Sequence, residues 1–361
     1  MQSNSPLADS SQPIRVLVVD DATFMVKAVS GILESDAGVT VVGSAKNGQD
    51  ALEKIKELEP DVITLDMDMP VMDGIRAIRH IMIQCPVPIV VLSSLYDNGA
   101  ITFEALRLGV VDFLPKPSGA VSRDIHVQGQ HIIDRIRMAT SVNINNVRRV
   151  RLNSEKEDQG LLSERFGFRP MDYLLAVGTS LSGPNTIIRL LAGLPASLPC
   201  GVVILMDIAP KILDSFVDKF NEYVHWHVQV AEEGQELAQG SCYLSSTAAP
   251  VVIAVSDEGK PVLQMLAEDP APIDRFFVSA AEQFKEQCVG LLLSGPGEDG
   301  AQGCQRIKEA GGTTIAQATD TCVYPNLSQN AISEGNIDLV REEAELVDSL
   351  VELLDRGAGE T

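Results

Sequence analysis

Asp20 and Asp21 stand directly after the apolar run IRVLVV, and Asp66 follows the run VITL about one βαβ unit later. A continuous apolar run ending in carboxylates reads as a buried parallel strand that delivers them to its C-terminal edge. Three carboxylates at one sheet edge repel one another unless a hard cation shares them, and Mg²⁺ held by a few carboxylates plus water suits such a set. Farther on, IVVL ends in Ser93, and VVDFLP leads into Lys116 and Pro117. A hydroxyl and an ammonium at the same edge would suit the oxygens of a phosphoryl group carried by Asp66. A single strand-end aspartate would be read as a helix cap. The ordered set Asp-Asp, Asp, Ser, Lys-Pro points to the phosphoryl chemistry instead.

A second constellation lies in the C-terminal half. LLAVGTSLSGP places Ser180 after a buried strand, in a Gly-rich turn opening a helix, where a nucleophilic serine would be exposed near the helix N-terminus. Alone, a serine there is more often an N-cap than a nucleophile. GLLLSGPGEDG ends another strand with Asp299 in a glycine-rich loop, a candidate third member of a triad.

These residues need strands and helices to hold them. From Arg15 to about Ala139 the strand-like runs RVLVV, VTVVG, VITL, PIVVL and VVDFL alternate with amphipathic segments. One of these, QDALEKIKEL, keeps Ala51, Leu52, Ile55 and Leu58 at helical spacing. Five strands and five helices predict a doubly wound sheet with its site at the C-terminal edge. The charged stretch NVRRVRLNSEKEDQG breaks this rhythm and reads as part of a linker over 138–168. A second α/β pattern starts with YLLAVG and continues through CGVVILM, VGLLL and TTIAQ, predicting another parallel sheet.

A chain of 361 residues suits two domains, each with its own core. Apolar content of 45% and charged content of 22% are globular values. No apolar run reaches the roughly 20 residues of a membrane span, so no membrane insertion is expected. MQSNSPLADSSQP lacks a basic n-region and reads as a disordered lead-in over 1–12. Six scattered cysteines without a CxxC pair read as buried, reduced thiols in a cytoplasmic protein. A formal charge of −22 argues against nucleic acid as a partner.

Residues from about Ile14 to Pro117 resemble the receiver domain of two-component response regulators: Asp20-Asp21, LDMDMPVMDG from Leu65 to Gly74, Ser93-Ser94, and Lys116-Pro117. The resemblance implies phosphorylation at Asp66. It places Mg²⁺ on Asp21, Asp66 and the backbone carbonyl of Asp68, with Asp20 close by. Ser93 then matches the hydroxyl that moves toward the phosphate, Phe113 the aromatic switch, and Lys116 the phosphate-binding lysine. With Ser180 and Asp299 added, the chain from Ile14 to about Leu354 resembles the chemotaxis receptor methylesterase (CheB) family. That family joins a receiver to a domain that hydrolyses glutamyl methyl esters and deamidates glutamines on chemoreceptors. The implied boundaries are 13–137 for the receiver, 169–355 for the methylesterase-like output domain, and 356–361 for a tail. The implied partners are a chemotaxis-type sensor histidine kinase and methyl-accepting chemoreceptors; no cofactor is expected in the output domain.

The departures from the family bear on activity. The position of the catalytic histidine, after the strand in VVILMDIAP, is held by Asp207. The five histidines are 80, 126, 131, 225 and 227. Alternation in YVHWHVQV puts His225 and His227 on one face, most simply a surface face. The GMG loop, whose backbone N–H helps bind the oxyanion, reads Gly295-Pro296-Gly297, and Pro296 has no N–H. The turn STGG reads Ser180-Leu181-Ser182-Gly183, APGD reads Ser245-Ser246-Thr247-Ala248, and FGMP reads Tyr324-Pro325-Asn326-Leu327. The expectation is a phosphorylation-regulated chemotaxis protein with a catalytically impaired output domain. The alternatives are an active methylesterase or deamidase rebuilt around Ser180, and a response regulator whose output domain is a scaffold.

Overall fold

The structure is a computed structural model that describes residues 12–94, 98–117, 124–147, 171–180 and 183–356. Most of the expected lead-in, the expected linker beyond residue 147, Leu181, Ser182 and the last residues of the tail lie outside these. By contacts the chain forms two compact units, 1–96 with 110–144, and 97–109 with 145–361.

The first unit carries strands β1 (Ile14–Val19), β2 (Val39–Ala45), β3 (Val62–Leu65), β4 (Ile89–Ser93) and β5 (Asp112–Pro115). They form one parallel sheet in the order β2-β1-β3-β4-β5. Val16 to Val19, all of β3 and all of β4 are buried, as befits strands covered on both faces. Helices α1 (Thr23–Leu33), α2 (Gly48–Leu58) and α3 (Gly74–Gln84) follow the first three strands. Asn47 Oδ1 starts α2 by accepting the N–H groups of Gln49 and Asp50, each at 3.0 Å. The helix then buries Ala51, Leu52 and Ile55, the face its spacing predicts. The strand order reverses between β1 and β3, so the residues after these two strands flank a crevice.

Val71, in the loop between β3 and α3, sits at φ +67° with 78% of its surface exposed. A β-branched residue is strained there, whereas asparagine adopts that region readily. Val71→Asn is therefore expected to stabilise the first unit by about 1 kcal/mol, read as a raised urea midpoint. A lowered midpoint would show that the valine side chain packs usefully despite its exposure.

Chain order continues with helix α4 (Gly99–Leu108) and helix α5 (Asp124–Thr140). The segment carrying α4 groups with the second unit, where Phe103 packs among Phe216, Phe220 and Tyr223. That unit contains β6 (Tyr173–Gly178), β7 (Cys200–Met206), β8 (His227–Val230), β9 (Ser241–Ser246), the hairpin β10 (Val251–Val255) and β11 (Pro261–Met265), β12 (Cys288–Leu292), β13 (Thr313–Gln317) and β14 (Leu339–Arg341). Seven of these form a parallel sheet ordered β14-β13-β12-β6-β7-β9-β8. Its helices are α6 (Gly183–Gly193), α7 (Leu213–Asn221), α8 (Pro272–Phe284), α9 (Ala301–Glu309), α10 (Asn326–Ser333) and α11 (Leu346–Arg356). Phe276 and Phe277 of α8 belong to the core that covers β6, β7 and β12. The chain leaves β6 toward β7 and later returns to its other side as β12, so β6 and β12 bracket this sheet's switch point.

All six cysteines are free thiols, five of them buried, and burial pushes Cys200 and Cys288 up to about 12. No helix among the described residues is long and apolar enough to cross a membrane.

Candidate functional site

Each switch point gathers chemistry-bearing side chains. In the first unit, Asp20 and Asp21 follow β1, Asp66 follows β3, Ser93 ends β4 and Lys116 follows β5. Asp20 and Asp66 are buried while Asp21 is exposed, and one carboxylate oxygen from each lies within 4.8 Å of the others. The trans oxygens of an Mg²⁺ octahedron stand about 4.2 Å apart, so a small inward movement would let the three fit that ion. Lys116 Nζ bridges Asp20 Oδ2 at 2.7 Å and Asp66 Oδ2 at 2.8 Å. Burial pushes the Asp66 carboxyl above its ordinary range, and the Lys116 ion pair only partly opposes this. Burial would lower the Lys116 ammonium, but the two carboxylates hold it above its usual value. The Lys116 N–H donates to Ser93 O at 3.1 Å, which ties the hydroxyl-bearing strand end to the lysine. Phe113 is buried in β5, and Asp68 is exposed in the loop after Asp66.

In the second unit, Ser180 follows β6, Asp207 follows β7, and Asp299 lies in the loop after β12. Ser180 Oγ is 3.4 Å from Asp207 Oδ2, longer than the roughly 2.7 Å of a strong hydroxyl–oxygen bond. Ser294 organises the turn. Its carbonyl accepts the Ser180 N–H at 3.1 Å and the Thr179 hydroxyl at 2.9 Å. Its own hydroxyl accepts the Tyr324 N–H at 2.7 Å, joining the loop after β13 to the same point. A side chain at Gly295 would put its Cβ 2.7 Å from the Ser180 Cβ, so the loop reaches the serine only through glycine. Ser246 Oγ donates to Ile208 O and the Thr247 N–H to Met206 O, which fastens the segment bearing Asp207.

A family model for the CheB methylesterase matches residues 175–350, and one for the response regulator receiver domain matches residues 16–123. The protein-glutamate methylesterase/protein-glutamine glutaminase of Symbiobacterium thermophilum is 35% identical over 97% of this chain and 98% of its own. The protein so named, with the suffix 2, of Carboxydothermus hydrogenoformans is 35% identical over 94% of this chain and 99% of its own. The chain belongs to the CheB methylesterase family. A crystal structure of the Thermotoga maritima CheB methylesterase catalytic domain is similar at 27% identity and TM-score 0.47, covering 50% of this chain and 98% of that one.

Among the described residues of the second unit, no histidine is gathered with Ser180. The unit's only histidines are His225 and His227, both exposed as their alternation predicts. His227 opens β8 and pairs with Ser241 at the start of β9. In a parallel sheet that is the edge opposite Ser180. In the first unit, His80 contacts Gln84 and His131 accepts from Arg135, while the His126 side chain lies outside the described residues.

Asp299, in the loop after β12, is engaged with backbone. Its Oδ2 and Oδ1 accept the N–H groups of Ile273 and Asp274, each at 2.9 Å, at the N-terminus of α8. Asp274 Oδ1 in turn accepts the Gly303 N–H at 2.6 Å, at the start of α9. Two aspartates thus cap each other's helices, and burial pushes both carboxyls up. Sequence reading missed Asp274, although PIDRFF carries its signal: proline at the first helical turn and an acid just inside it. Ser294 was missed as well, because its role depends on three chain segments meeting. Asp299→Ala should remove both acceptors and destabilise the second unit by about 1–2 kcal/mol. Unchanged urea melts would show that the caps contribute nothing.

Proposed function

We propose that this chain is a phosphorylation-regulated chemotaxis protein whose output domain binds receptor glutamyl esters and turns them over far more slowly than a family member with the histidine. The observation that carries the reading is the partner of Ser180: a carboxylate at 3.4 Å, with both histidines of the unit at the other sheet edge. Attack by a serine hydroxyl needs a group that takes its proton and then returns it to the leaving methanol. A carboxylate is a far weaker base than an imidazole for the first task, and the second depends on the first. Pro296, in the loop beside Ser180, supplies no N–H to an oxyanion. Asp299 retains its capping contacts but has no imidazole to orient.

The input is assigned to the first unit. Asp66 accepts the phosphoryl group from a chemotaxis-type histidine kinase; Asp21, Asp66 and the Asp68 carbonyl hold Mg²⁺, with Asp20 beside them. The ion supplies charge neutralisation as an anionic donor approaches. Lys116, already 2.8 Å from Asp66 Oδ2, is placed to pair with a phosphoryl oxygen, Ser93 to donate a hydroxyl, and Phe113 to respond as the switch aromatic. The receptors are methyl-accepting chemoreceptors and the compartment is the cytoplasm. The units are taken to correspond to a receiver over 13–137 and an output domain over 169–355.

One observation favours a second reading, an active methylesterase or glutaminase. The chain aligns over almost its whole length with relatives bearing that name, and Asp207 does face Ser180. Methanol release from methylated receptor, with Ser180→Ala as the blank, separates the two. Release well above the blank would favour the active enzyme, and release indistinguishable from it supports the binding role.

A further inference from the structure

We propose that His225 and His227 form a chelating site for a divalent transition-metal ion, Zn²⁺ or Cu²⁺, at the edge of the second sheet opposite Ser180. The two residues flank Trp226, which is 2% exposed and whose indole N–H donates to Leu194 O at 2.7 Å. That anchor turns the middle side chain inward. Burial alternates strictly from Val224 to Val228, with both histidines on the exposed side. Side chains two residues apart in extended chain leave the same face, their origins roughly 6.6 Å apart. Zinc–imidazole bonds are about 2.0–2.1 Å long, and two rings at that spacing are long enough to lean onto one ion. The backbone beneath the pair is fixed. His227 opens β8, the last strand in the sheet order, and its N–H donates to Gly240 O at 3.1 Å. Asn221, at the end of α7, holds the next residue from both sides: its Oδ1 accepts the Val228 N–H at 3.0 Å and its Nδ2 donates to Val228 O at 2.8 Å. Donors held in place before the ion arrives spare binding part of its ordering cost.

The donor set also selects the ion. Neutral imidazole is the commonest side-chain ligand of metals and suits Zn²⁺ and Cu²⁺, whereas Mg²⁺ takes oxygen ligands. The cluster of Asp20, Asp21 and Asp66 offers only carboxylates, so the two sites differ in the ion they prefer. The formal charge of −22 raises the concentration of cations around the whole chain. Two imidazoles leave the remaining coordination positions to water, which makes the ion exchangeable rather than a structural closed site. The expectation of an output domain without a cofactor came from the family resemblance, and His225-Trp226-His227 lies outside the motifs that carry it.

The test uses the untagged full-length chain in saturating Mg²⁺, which keeps the carboxylate cluster occupied, just above neutral pH where free imidazoles are unprotonated. Zn²⁺ is titrated calorimetrically. Half an equivalent of Cu²⁺ is examined by electron paramagnetic resonance, which reports the nitrogens bound to the ion. His225→Gln and His227→Gln should each weaken Zn²⁺ binding at least about tenfold, because losing one arm forfeits the intramolecular second bond. Cu²⁺ on the unmodified chain should show two imidazole nitrogens, and on either variant fewer. His131→Gln, in the first unit, should leave both readouts unchanged. Because His225 and His227 are exposed, their variants should keep the unmodified urea midpoint in EDTA, so that a lost signal is a lost ligand. The spectrum of the unmodified chain tests the ligand set without any variant. No Zn²⁺ binding in the presence of Mg²⁺, binding that survives loss of either histidine, dependence on only one of them, or a Cu²⁺ spectrum with oxygen ligands alone would overturn the proposal.

Discussion

Asp207→His is expected to raise methanol release from methylated receptor by at least about a hundredfold, without reaching the rate of a family member with all its motifs. Losing the histidine of a serine-hydrolase triad costs up to ~10⁶-fold in turnover, so restoring it at the same strand end has that range to recover. The backbone supports the substitution: residue 207 directly follows β7, and its side chain already comes within 3.4 Å of Ser180 Oγ. What holds the gain down is the loop after β12. On the proposed reading, Pro296 would leave an oxyanion without one N–H donor, a loss of roughly 10²–10³-fold in comparable sites. Pairing Asp207→His with Pro296→Met should therefore exceed either change alone, as expected of groups that act on one transition state. Glycines flank residue 296, so the loop has room to adapt to the new side chain. The four chains, unmodified, two single variants and the double, are compared with Ser180→Ala as blank. Strong Ser180-dependent release by the unmodified protein would remove the premise that Asp207 blocks turnover.

The features legible in the sequence were those that depend on neighbours along the chain. Buried runs such as VITL and CGVVILM announced strands because both faces are covered. Ala51, Leu52 and Ile55 announced the buried face of α2 by their spacing. The acids after β1 and β3 announced a shared site because a doubly wound sheet must deliver them to one edge. What stayed hidden depends on distant segments. No local pattern says that β12 returns to pair with β6, which is what brings the Pro296 loop to Ser180. The exchange of caps between Asp274 and Asp299 joins residues about one helix and one strand apart. The Lys116 bridge to both Asp20 and Asp66 needs β5 in its final place. The segment 97–109 lies within the expected receiver boundaries, yet it keeps contacts with the second unit through Phe103, an aromatic whose partners lie over a hundred residues away.

Asp66→Asn is expected to abolish acid-labile labelling of the chain by a small-molecule phosphodonor, and omission of Mg²⁺ should do the same in the unmodified protein. The acids explain both requirements. Asp66 is 3% exposed and shares its oxygens' surroundings with Asp20 and Asp21, so an anionic donor meets concentrated negative charge unless a cation is bound. Lys116→Ala should leave labelling detectable but impair the response to it, because the ammonium contacts Asp66 without being the acceptor. Labelling that persists in Asp66→Asn would reject the acceptor assignment. The same variant has a second readout, stability in EDTA. Burial raises the Asp66 carboxyl above its ordinary value more than the Lys116 pair lowers it. The folded chain therefore binds that proton more readily than the unfolded one does. The resulting stabilisation is complete below the unfolded carboxyl's range and is lost as pH rises through the folded value. At neutral pH the ionised Asp66 thus weakens the fold, and Asp66→Asn should melt at a higher urea concentration, an advantage that shrinks on acidification. Adding Mg²⁺ should reverse the order, since the ion binds the carboxylate set of the folded unmodified chain and stabilises it by mass action. A variant less stable than the unmodified protein in EDTA at neutral pH would mean that the Lys116 pair outweighs the burial of Asp66.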